Sequence, residues 1–216
     1  MAKSLRFFAN NQKRFCRVGQ ADGVAGFKRL ISAAIGRLLA TLVKGDSQTV
    51  LELRLLGDSD VSLVETWLNK EHVKRWYEIP SLGIAIDDWM SEIKGRHEEF
   101  CWLTHLIALW EGRPIGLCQS YKCVDSDEDW GALPLTGAYG IDYLIGEESL
   151  LGKGLGKGII TLLVNRIFSL SDAQRVVADI DKDNKASEKA LLASGFALFD
   201  AGRNRYAIQR EQTGKH

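Results

Sequence analysis

Four glycines fall within seven residues at Gly152-Lys153-Gly154-Leu155-Gly156-Lys157-Gly158. No regular helix or strand favours that density, because glycine loses the most backbone freedom on ordering. An apolar, strand-like run precedes it (Gly140-Ile141-Asp142-Tyr143-Leu144-Ile145-Gly146), and a helix-like run follows (Ile159-Ile160-Thr161-Leu162-Leu163-Val164-Asn165-Arg166-Ile167-Phe168). The stretch therefore reads as a tight turn from a strand into a helix N-terminus. Backbone N–H groups there can converge on an anion, and the helix dipole favours a phosphate. Lys153 and Lys157 add positive charge.

Two familiar phosphate loops are excluded. A Walker loop ends in Gly-Lys-Ser/Thr, whereas Ile159 follows Gly158. A dinucleotide fingerprint needs a third glycine where Lys157 stands.

The rest of the chain reads as alternating short strands and helices. Residues 50–56 alternate as a first strand, and Asp58 or Asp60 can cap the next helix, which carries Val61, Val64, Trp67 and Leu68. A further helix is marked by Ile86, Trp89, Met90 and Ile93. Strands are expected at 103–110 and 114–124, with a turn at Glu111-Gly112-Arg113 and an acidic loop at 125–129. Then come strand 138–145, the glycine turn, helix 154–170, strand 175–180, a helix from Asn184 stopped by Gly195, and a closing hairpin around Gly202. Mixed strands with helices on both faces make an α/β domain of three layers.

The formal charge of zero conceals an asymmetry. Residues 1–47 hold nine Lys/Arg against two acids, a surplus of +7, and the remainder carries −7. We therefore divide the chain into a basic N-terminal extension, 1–47, and an acidic globular domain, 48–216. The extension reads as an appended, poorly ordered segment; an amphipathic surface helix over 27–42 or an Arg-rich presequence is the alternative. An acidic domain attracts cationic ligands. No apolar run approaches the roughly 18 residues that a membrane span needs. Cys16, Cys101, Cys118 and Cys123 lack metal-ligand spacing, and His72, His97, His105 and His216 form no ligand pair, so no metal is expected. The four cysteines read as reduced packing residues, in keeping with a cytoplasmic protein.

Gly154-Leu155-Gly156 fits the second half of the pattern Gln/Arg-x-x-Gly-x-Gly/Ala, the acetyl-CoA loop of the GNAT acetyltransferases. Leu151 stands where the Gln or Arg would be. Over about residues 49–210 the chain resembles the aminoglycoside 6′-N-acetyltransferases of that superfamily. Trp67-Leu68-Asn69, His72 and Trp76 are similar to its Trp-Leu-Asn…His…Trp segment. Pro114-Ile115-Gly116-Leu117-Cys118-Gln119-Ser120-Tyr121 resembles its central strand, Gly140-Ile141-Asp142 its acid, and Asp179, Asn184 and Gly195-Phe196 its third segment.

The resemblance implies a GNAT fold and transfer of an acetyl group from acetyl-CoA to the 6′-amine of an aminoglycoside, by a monomer or homodimer with no nucleic-acid or membrane partner. Acetyl-CoA is expected on Ile141, Tyr143, Leu151, Gly152, Lys153, Gly154, Leu155, Gly156, Lys157 and Asn184. A splayed strand end at 140–145 would pair with the pantetheine arm and polarise the thioester. Asp142 is expected to take the amine's proton, although an ordinary Asp, with pKa about 3.9, is a weak base. Substrate binding is expected from Trp76, Tyr121, Asp127, Asp129, Asp142 and Asp179. Plainer roles stay open: Asp142 as a strand-surface acid, Asp127, Asp129 and Asp179 as solvated loop acids, Trp76 and Tyr121 as core. Many GNAT enzymes protonate the leaving thiolate from a Tyr whose place here is Leu191; either the thiolate leaves without a dedicated acid, or Ser187, Ser194 or Tyr206 substitutes. Transfer to another amine, or a nonenzymatic acyl-CoA- or nucleic-acid-binding module resting on the basic extension, are the competing readings.

Overall fold

Residues 50–211 are described in the computed structural model; the basic segment 1–47 and the cysteine within it lie outside them. The alternating segments form seven strands: β1 (Leu51–Leu55), β2 (Thr104–Trp110), β3 (Arg113–Lys122), β4 (Ala138–Ile145), β5 (Arg175–Asp179), β6 (Ala197–Asp200) and β7 (Arg205–Gln209). One mixed sheet holds them in the order β1-β2-β3-β4-β5-β7-β6. Every pairing is antiparallel except β4 with β5. Five α-helices accompany them among the described residues: α1 (Val61–Leu68), α2 (Glu71–Tyr77), α3 (Ile86–Lys94), α4 (Leu155–Phe168) and α5 (Lys185–Ala193).

Local chemistry sets these elements. The β2–β3 turn needs two residues with positive φ, and Glu111 (φ 52°) and Gly112 (φ 74°) supply them. Ile86, Trp89, Met90 and Ile93 recur at helical spacing and are all buried on α3. Asn184 caps α5, its Oδ1 accepting from the Ser187 N–H at 3.2 Å. Gly195, at φ 88°, ends that helix.

Three expectations are corrected. Asp60 puts no capping bond on α1; its carboxylate accepts from the Gly57 N–H and pairs with Arg54 at 2.6 and 2.8 Å. The third strand stops at Lys122, because Cys123–Asp125 turn as a 3-10 helix. Cys118 and Cys123 are free and buried, but Cys101 is disulfide-bonded, so the reading of all the cysteines as reduced does not hold.

The two faces of the sheet bury different things. Leu106, Cys118, Ile141, Tyr143, Val176, Ala178 and Tyr206 point to the face covered by α4 and α5. On the other face, Ile107, Leu117 and Leu144 pack under α1, α2 and α3. Tyr121, Ala138 and Val177 lie further along that same face, under Leu103, Cys123 and Trp130. A strip between these two apolar clusters is left for polar groups.

Candidate active site

Register fills the strip. His105 on β2 faces Gln119 on β3, and Gln119 faces Asp142 on β4. On the far side, Asp179 on β5 faces Arg205 on β7. All five are buried and share a face. A polar row thus crosses five strands, with one interruption between Asp142 and Asp179.

That interruption is where the sheet opens. β4 and β5 pair at Ala138, Tyr139 and Gly140 with Arg175, Val176 and Val177, and nowhere beyond. β4 nevertheless runs on to Ile145 and β5 to Asp179. The strands diverge two residues before Asp142 and Asp179, and the β5-facing main chain of 141–145 lines the resulting gap. Ile141 and Tyr143 were expected to bind the cofactor; their side chains turn into the core under α4 and α5, so only their main chain meets the gap. The Tyr143 hydroxyl lies 2.5 Å from Ser187 Oγ, and burial pushes it well above the ordinary tyrosine range.

The glycine turn closes the open end. Gly152 (φ 75°) and Gly154 (φ 78°) are left-handed, which explains why glycine stands there. A Cβ on either would meet nothing within 4 Å, so the turn faces open space. Gly154 is the N-cap of α4. Among the described residues no acceptor meets the N–H groups of Leu155, Gly156 or Lys157, as befits the first turn of a helix. Leu151 is exposed, and the Lys153 ammonium lies 5.8 Å from the Trp110 ring centre. Gly158 lets α4 press on β1, since a Cβ there would lie 2.6 Å from Leu51. Three N–H groups without an internal acceptor and two left-handed glycines suit this turn to an anion such as a pyrophosphate.

The end of β4 is braced from α1 and α2. The Trp67 indole N–H donates to Glu147 at 2.7 Å, and Lys70 lies 3.1 Å from the same carboxylate. These contacts, the indole first, hold the Glu147 carboxyl below its usual range. His72 Nε2–H donates to the Ile145 carbonyl at 3.1 Å. Trp76 is half-buried at the margin of the same helix cluster, with Arg75 stacked 4.5 Å above its ring.

The acids expected to bind substrate fare differently. Tyr121 reaches the polar face and donates to the buried Glu128 at 3.1 Å. Asp127 is exposed and has no hydrogen bond or ion pair among the described residues. Asp129 is held by Arg203: Nη2 meets its carboxylate at 2.6 Å and Nη1 its carbonyl at 2.8 Å. Asp179, expected to be free for an ammonium, accepts instead from Arg205 Nε at 2.9 Å, both side chains being 3% exposed. Burial raises the Asp179 carboxyl to about 6, while Arg205 pulls the other way. Arg205 also donates to the Asp129 carbonyl at 2.7 Å and stacks 4.8 Å from the Trp130 ring. The sequence reading missed His105, Glu128, Arg203 and Arg205. Only strand register would have revealed the first and last.

The acetyltransferase (GNAT) domain family matches residues 57–202. The chain belongs to the GNAT family. Among its GNAT relatives, the aminoglycoside N(6′)-acetyltransferases type 1 of Klebsiella pneumoniae and of Serratia marcescens are each 28% identical over 156 residues, covering 70% of this chain and 76% of theirs. A solved structure of AAC(6′)-Ib with parmomycin and acetyl-CoA superposes with a TM-score of 0.63 at 25% identity, covering 74% of this chain and 93% of that one. Another, with coenzyme A and kanamycin, gives 0.61 at 26% identity, covering 74% and 95%. The GNAT match contains the polar row as far as Asp179 and the whole glycine turn; Arg203 and Arg205 lie beyond its end. Among the described residues, no helix is long and apolar enough to cross a membrane.

Proposed function

We propose that this GNAT chain transfers the acetyl group of acetyl-CoA to the 6′-amine of an aminoglycoside. The observation that carries the reading is the gap between β4 and β5, bounded by Asp142 on one side and leading to the open glycine turn. Relatives with that activity, and neighbours holding coenzyme A and kanamycin, support it.

Acetyl-CoA, when bound, supplies an activated acyl carbon and a thiolate leaving group. The N–H groups of Leu155, Gly156 and Lys157 would hold its pyrophosphate. The β5-facing main chain of 141–145 orients the arm, and an N–H there stabilises the negative charge that develops on the carbonyl oxygen; losing one such donor typically costs about 3 kcal/mol. Asp142 attracts the acceptor ammonium and accepts the proton that nitrogen sheds as its bond to the acyl carbon forms.

The departing thiolate needs one proton. Leu191 is fully buried and has none to give. Tyr206 donates to Glu188 and Ser194 to the Ala190 carbonyl, while Ser187 is bonded to Tyr143. The proton on Asp142 balances the step without a dedicated acid. In total, an ammonium and a thioester give an amide, a thiol and one released proton.

The test is to titrate kanamycin in the presence of acetyl-CoA, follow free thiol and weigh the product. A single added acetyl group with thiol release is expected; no turnover above background overturns the reading. One observation favours a different amine as acceptor: Asp129 and Asp179 each already face an arginine.

A further inference from the structure

Behind Asp179, on the side of β5 away from the gap, stand two cations that belong to the chain itself. Arg205 is buried and fixed from three directions: the Asp179 carboxylate, the Asp129 carbonyl and the Trp130 ring. Arg203 differs in one respect, because both it and its partner carboxylate on Asp129 stand in solvent. The Asp129 carbonyl accepts from both guanidinium groups, so the two arginines and two acids form one cluster at the end of the polar row. An acceptor seated with its amine at Asp142 would extend toward that cluster, since Asp179 lies directly across the gap.

We propose that Arg203 is a specificity-determining residue, an internal competitor for the acceptor's positive charges. A polycationic acceptor gains the Asp129 carboxylate only by displacing Arg203. An acceptor with a single ammonium, already satisfied at Asp142, does not need to. Arg205 cannot be displaced in this way, because removing it would leave the buried Asp179 without its counter-charge. The outer arginine therefore sets how strongly the protein discriminates between amines of high and low charge. The net charge of −7 over residues 48–216 would otherwise draw polycations in without selection. This inference rests on the reading of the gap as the acceptor site.

The test measures binding, and so does not depend on turnover. The full chain, saturated with coenzyme A, is titrated by calorimetry with kanamycin and with glucosamine, an amino sugar bearing one ammonium. Arg203→Gln should tighten kanamycin by about 1.4- to fivefold, the range that an exposed ion pair yields when one partner is released, and leave glucosamine unchanged. The gain should fade at 1 M salt, where the Debye length falls to about 3 Å. Arg203→Lys, which keeps the charge, should bind as the wild type does. In Arg203→Gln combined with Asp129→Asn the gain should disappear, identifying Asp129 as the seat; a purely structural role for Arg203 would not give that pattern. Equal gains for both sugars, no gain for kanamycin, or no measurable binding of kanamycin to either protein would each overturn the proposal. Should the binding pattern appear while no acetyl group is transferred, the catalytic reading fails and the competitor stands.

Discussion

Replacing Gly154 and Gly156 separately by alanine should divide the anion site from the fold that carries it. Gly154 sits at φ 78° with open space around it. Its alanine meets no atom but must adopt a left-handed conformation, costing about 1–2 kcal/mol. At about 2–4 °C per kcal/mol for a domain of this size, Tm should fall by about 2–8 °C. Relief of that strain would swing the N–H groups of Leu155, Gly156 and Lys157 away from a shared focus. A hydrogen bond to a charged group contributes about 1.5–3 kcal/mol, so coenzyme A should bind at least about tenfold more weakly. Gly156 has a negative φ inside α4, and its Cβ would meet only Ala190 Cβ at an ordinary 3.7 Å. Alanine there should stabilise by about 0.5–1 kcal/mol and raise Tm by about 1–4 °C, with coenzyme A affinity little changed. Thermal unfolding followed by circular dichroism reads the first quantity and calorimetry the second. Normal coenzyme A binding by Gly154→Ala would refute the assignment of these amides. A lowered Tm for Gly156→Ala would refute the account of how α4 packs on α5.

Asp142→Asn keeps the shape and removes the proton acceptor; turnover should drop at least about 100-fold with coenzyme A affinity unchanged, and near-normal turnover would mean that another group is the base. Asp179 titrates higher in the folded state, near 6, than its ordinary 3.8. The folded chain therefore binds its proton more tightly, and this group's contribution to stability falls as pH rises from about 4 to 6, by about 3 kcal/mol at most. Urea unfolding across that window should show a flatter pH slope once the same wild-type contribution is removed in Asp179→Asn; identical slopes would refute it. A Cβ at Gly146 would lie 2.1 Å from the fully buried Trp67 ring, which Glu147 holds in place. Gly146→Ala should cost about 1–3 kcal/mol by overpacking, seen as a lower urea midpoint, and an unchanged midpoint would count against the packing described.

Much of this arrangement was legible before any coordinates. Periodicity located the strands and helices, because side chains on a half-buried element must alternate with its geometry. The glycine turn was legible because positive φ demands glycine at Gly152 and Gly154. Asp142 stood out through the resemblance of Gly140-Ile141-Asp142 to a GNAT segment. What stayed hidden depends on partners distant in the chain. The His105–Gln119–Asp142 row exists only once three strands are in register. Asp179 reads as a solvated loop acid until β7 brings Arg205 opposite, 26 positions later. Asp60 looked like a helix cap because its neighbours fit one, yet Arg54 competes for the same oxygens. Sequence spacing cannot rank such rivals, since each is locally satisfactory.

The early parting of β4 from β5 has one more consequence. Unpaired strand edges usually invite other chains to add to a sheet, and proteins guard them with charges, prolines or bulges. Here such an edge lies in the middle of seven strands, on a segment whose residues are all buried. Its neighbours shield it from any incoming sheet, so it needs no guard of its own. A slender ligand can use hydrogen-bonding capacity that, at the outer rim, would be a hazard.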